Sequence, residues 1–196
     1  MSVAAEPAGE DVAPDALTRL RALLRDEGGL IATLVEPDPD PAPGAPQARN
    51  GHGASPGAIA AAGPRAAGRR DEYELLVEAI YEGYLLHYDA PRVVRMPEAD
   101  LKLLAGDRLY AIGLARLVAL GDTLAVAELA DTITLSALAQ GAGKGKLADA
   151  VWAAGARAVG HGSSDAHDRA KDLVLAGAPN AIEAMRTSAL GGAAPR

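Results

Sequence analysis

A chain of 196 residues has room for one domain, or for one domain with a tail. Hydrophobic residues make up 49% of it, and 19 Lys+Arg against 26 Asp+Glu give a net charge of −7 with no basic block. The charge balance excludes the basic stripe of a nucleic-acid binder. The absence of cysteine excludes a disulfide framework, Cys–zinc sites and thiol catalysis. No apolar run approaches the roughly 18 residues of a bilayer span, so no integral membrane segment is expected. The N-terminus, MSVAAEPAGEDVAPDA, is acidic and Pro-bearing and does not read as a signal peptide, so a cytoplasmic location is expected. Aromatic residues are 3% of the chain, five Tyr and one Trp with no Phe, so the core must be aliphatic.

Three regions follow in chain order. Residues 1–36 form an N-terminal tail. Within it, Leu17, Leu20, Leu23, Leu24, Leu30, Ile31 and Leu34 recur at helical spacing, interrupted by Gly28-Gly29. This predicts a tethered amphipathic helix or helix pair. Residues 37–70 carry seven of the 13 prolines and six of the 22 glycines, and they include His52. Proline removes backbone donors and glycine adds chain entropy, which predicts a disordered linker.

Residues 71–196 read as an α-helical bundle domain large enough to stand alone. Its first helix spans about 72–88 and stops before Pro91. Pro97 at a first-turn position opens the second, with Glu98 and Asp100 beside it. Gly121 closes that helix, and Asp122 caps a third over about 123–140. Gly141–Lys146 (GAGKGK) is a break, followed by helices over about 147–159, 165–176 and 179–189. No alternating strand pattern is present. The fold class predicted is all-α, a bundle of about six helices with the N-terminal helix tethered to it.

Several positions invite chemistry. On the second body helix, Leu103, Ala111, Leu114 and Val118 share an arc that contains Asp107. A carboxylate placed there orients a ligand or metal, or makes a structural hydrogen bond to a neighbouring helix. Gly106 and Gly113 lie near Tyr110 and let another helix or a flat ligand come close. Glu128 and Asp131, three apart on the third helix, either share Mg²⁺ or are solvated. His161, Asp165, His167 and Asp168 fall in one short segment. They offer zinc ligands or a general base, or simply a helix start capped by Ser163, Ser164 or Asp165. GAGKGKL lacks the spacing and the Ser/Thr of a phosphate loop and reads as an interhelical turn.

Residues 87–141 resemble the middle of the all-α trans-prenyltransferases, the polyprenyl diphosphate synthases. The resemblance lies in Ala90-Pro91-Arg92-Val93, Ala105-Gly106-Asp107-Arg108-Leu109 and Ala119-Leu120-Gly121-Asp122. That family's first aspartate-rich motif, which binds Mg²⁺ and the diphosphate, should precede the Pro-Val segment. Here Leu85-Leu86-His87-Tyr88-Asp89 supplies one aspartate, and Asp165-Ala-His-Asp168 does not make a second motif. The resemblance therefore implies a shortened, catalytically silent relative. No catalytic residue, metal ligand or cofactor is assigned.

The expected function is a non-catalytic helical interaction protein, like a prenyl-synthase accessory subunit, with a protein partner or self-association. The alternative is a hydrophobic small molecule or isoprenoid bound among the first three body helices. Its site would be lined by Tyr81, Tyr84, Tyr88, Asp107 and Tyr110, since all five tyrosines fall in the first two of those helices. An Mg²⁺-dependent prenyl-transfer enzyme is the third reading.

Overall fold

The computed structural model describes residues 14–38, 53–95 and 98–191. Among these the chain is all-α: α1 (Ala16–Glu27), α2 (Gly29–Leu34), α3 (Pro56–Ala61), α4 (Arg70–Tyr88), α5 (Ala99–Ala119), α6 (Thr123–Gly141), α7 (Gly145–His161), α8 (Asp165–Leu175) and α9 (Ala181–Ala189). A 3₁₀ turn spans Pro64–Ala66. The six predicted body helices correspond to α4–α9, but α1–α3 pack with them, so the bundle has nine helices among the described residues and not about six. Pro97 and His52 lie outside the described residues.

The helix starts follow from local chemistry. Asp15 accepts from the Thr18 N–H, Asp122 from the Ala125 N–H and Ser164 from the His167 N–H, each satisfying an otherwise unpaired first-turn donor. At Gly28 the chain turns through φ +69°, which separates α1 from α2.

Two features of the sequence reading need correction. The first is the linker. Residues 53–70 are folded: Ser55 caps α3, and Ala60 and Ala66 are fully buried in the main core. The cause is small side chains. A Cβ on Gly160 of α7 would run into the Ala60 carbonyl, and one on Gly63 into the Gly160 backbone. Proline and glycine that looked like unpacking signals here permit two backbones to touch. Residues 39–52 of the predicted linker are outside the described set.

The second correction concerns the tether. The N-terminal helices form one wall of a second core and do not hang from the body. Leu20, Leu24, Ile31 and Val35 pack with Ala79 and Leu86 of α4, Val93 and Val94, and Leu109 and Ile112 of α5. Antiparallel backbone bonds tie this segment down, from Glu36 N–H to the Val93 carbonyl and from Arg95 N–H to the Leu34 carbonyl. The larger core lies on the opposite side of α4, where Tyr73, Leu76, Val77, Ile80 and Tyr84 meet α3, α6, α7, α8 and α9. α4 is thus buried nearly all round, and α5 crosses it closely. A Cβ on Gly83 would approach the Gly106 carbonyl, and one on Gly106 the His87 ring.

Candidate functional site

The α4–α5 crossing brings together the four predicted tyrosines, Tyr81, Tyr84, Tyr88 and Tyr110, and leaves Asp107 on its exposed edge. Tyr81 and Tyr84 stack at 5.7 Å, Tyr84 and Tyr88 lie 5.3 Å apart, and both Tyr81 and Tyr84 pack on Trp152 of α7 at 4.9 and 5.2 Å. His87 stacks on Tyr110 at 5.4 Å. Tyr84 is buried and its hydroxyl accepts a 2.6 Å bond from Gln140 Nε2, whereas Tyr88 is partly exposed. The guanidinium of Arg92 sits 5.0 Å above the Tyr81 ring.

Burial pushes the Tyr81 hydroxyl up to about 12, and burial likewise raises Tyr84 and Tyr110. Raised values favour the protonated hydroxyl in the fold. Their contribution to stability is complete below pH 10 and is lost as pH climbs toward 12. Absorbance at 295 nm should therefore show that the native protein at pH 11 ionises only some of its five tyrosines. Guanidinium should release the remainder; uniform titration of all five near pH 10 would contradict this packing.

Asp107 is placed otherwise than the helical arc implied. Its side chain is 68% exposed, and its Oδ1 lies 3.2 Å from His87 Nε2, off the axis of a hydrogen bond. The buried side of α5 is Ala105, Gly106, Leu109, Ile112, Gly113 and Leu117, so Leu103, Asp107, Ala111 and Val118 of the predicted arc face solvent, while its Leu114 is half-buried against the larger core. Aliphatic side chains mark that arc as apolar, but they do not decide which side is buried. Packing instead selected the glycine-bearing side, because only there can α5 approach α4.

The buried carboxylates among the described residues are each engaged by an internal cation. Glu78 and Glu82, one turn apart on α4, are 1% and 0% exposed. Arg92 reaches both, with Nη1 2.7 Å from Glu78 Oε2 and Nε 3.1 Å from Glu82 Oε2. Backbone N–H groups complete the set: Gly57 donates to Glu78, and Arg92 and Val93 to Glu82, at 2.6–2.7 Å. Burial alone would lower the Arg92 guanidinium, but the two carboxylates more than offset it and hold it above its usual value. This cluster pins the start of α3 and the loop after α4 to one turn of α4.

Glu128 is buried and accepts from His167 Nε2 at 2.7 Å, while Lys171 lies 3.2 Å from its other oxygen and 2.9 Å from Asp131. A lysine therefore stands where a metal shared by Glu128 and Asp131 would sit. His167 bonds Ser188 through Nδ1 at 2.7 Å, joining α6, α8 and α9 in one polar chain. His161, by contrast, is exposed and remains with its own helix, its Nδ1 3.3 Å from the Arg157 carbonyl. Asp122 holds Arg65 at 2.7 Å and the Tyr73 hydroxyl at 2.5 Å. Although burial raises it, bonds from Tyr73, the Ala125 N–H and Arg65 leave its carboxyl below the usual range.

Among the described residues no group of three or more His, Asp or Glu could hold a metal ion, and no helix is long and apolar enough to cross a membrane. The sequence reading missed the Glu78–Glu82–Arg92 cluster. Its signal was present: two glutamates at i, i+4 inside a helix otherwise rich in Leu, Val, Ile and Tyr. No protein-family model, curated protein or solved structure matches the chain.

Proposed function

We propose that this chain is a non-catalytic helical interaction protein of the cytoplasm, a shortened prenyl-synthase-like accessory subunit. It would dock a protein partner or a second copy on the outer surface of α5 and α6. One observation carries the reading. Leu103 and Val118 on α5, and Leu124 and Leu138 on α6, are about half exposed or more. On the same two helices Ala111, Ala127 and Ala130 are exposed as well. Single surface leucines mean little, but exposed apolar positions recurring along each of two successive helices are what a docking partner would cover. Small residues between the large ones let a partner helix come close, and burying each Leu or Val contributes about 1.5–3 kcal/mol.

The non-catalytic part of the reading draws support from the internal ion pairs. A metal and diphosphate site needs carboxylates free to coordinate, and Glu78, Glu82, Asp122, Glu128 and Asp131 are engaged by Arg92, Arg65 and Lys171.

The test compares the full chain with Val118→Glu and Leu124→Lys, both exposed and so expected to fold normally. Affinity capture and light scattering should reveal a defined heteromer or dimer for the parent. Each variant should weaken it at least about tenfold, the loss expected when a charge is set into an apolar interface. A parent that is monomeric, and that retains nothing the variants fail to retain, refutes the reading.

A further inference from the structure

We draw no further inference here: the strongest candidate, the cleft of about 670 Å³ between the α6–α7 turn and the start of α9, lined by Lys144, Lys146, Leu147 and Ile182, carries nothing, because its two lysines are exposed at the start of α7 and, among the described residues, no buried polar side chain lacking a partner lines it.

Discussion

Replacing Arg92 by methionine should destabilise the fold by about 3–5 kcal/mol, the cost of leaving buried carboxylates without their cation. A domain of this size has only about 5–15 kcal/mol in hand, so the variant should unfold at a much lower urea midpoint. The substitution removes the one side chain that faces both Glu78 and Glu82, and it loses the cation above the Tyr81 ring. Adding Glu82→Gln should restore about 1–2 kcal/mol. The amide carbonyl still accepts from the Arg92 and Val93 N–H groups, but it no longer brings an uncompensated charge. A single Arg92→Met variant as stable as the parent would mean that water, and not Arg92, neutralises the pair.

The second large effect is expected where α3 meets α7. Gly160→Ala places a methyl group against the carbonyl of Ala60, a backbone atom that cannot rotate away. Overpacking of this kind costs about 1–3 kcal/mol, and contact with backbone puts this case at the upper end or above it. The control is Gly141→Ala at the end of α6, where nothing lies within 4 Å of the new atom. That change should be neutral or stabilising by up to about 1 kcal/mol, through the lower conformational freedom of alanine in the unfolded chain. Equal denaturation midpoints for the two variants would show that α3 is not held at the distance described.

The body helices were legible because each is bounded by its own chemistry. Asp122 and Ser164 cap, Gly121 and Gly143 turn the chain at positive φ, and the apolar spacing between these marks is helical. What escaped was any property set by a distant partner. Gly63 and Pro64 carry the composition of a linker, and only Gly160, almost a hundred residues on, turns that composition into a packed contact. The arc holding Asp107 carries about as much aliphatic carbon as the arc that became buried. Glycine adds little to a hydrophobic count, yet it decides how near two helices can come. The tyrosine cluster was legible as a place, since Tyr81, Tyr84 and Tyr88 share one side of a helix. Its company was not, because Trp152 and Gln140 arrive from α7 and α6. The buried glutamates were readable only as an anomaly of α4, and their cation follows in the next loop.

The two cores on either side of α4 also set an order of events during synthesis. Leu20 and Leu24 leave the ribosome about ninety residues ahead of Leu109 and Ile112, which complete their pocket. At roughly 5–20 residues per second, the N-terminal pair of helices waits on the order of five to twenty seconds for its seat. The larger core lies mostly after α5 in the chain, so the smaller one can close first, around α1, α2, α4 and α5. During the wait the nascent segment must stay soluble with its leucines uncovered. Arg19, Arg21, Arg25, Asp26 and Glu27, interleaved among those leucines, give it the charge to do so. Several of these charges later become the rim that fastens it, Arg19 to Glu74 and Glu27 to Arg108 and Arg116.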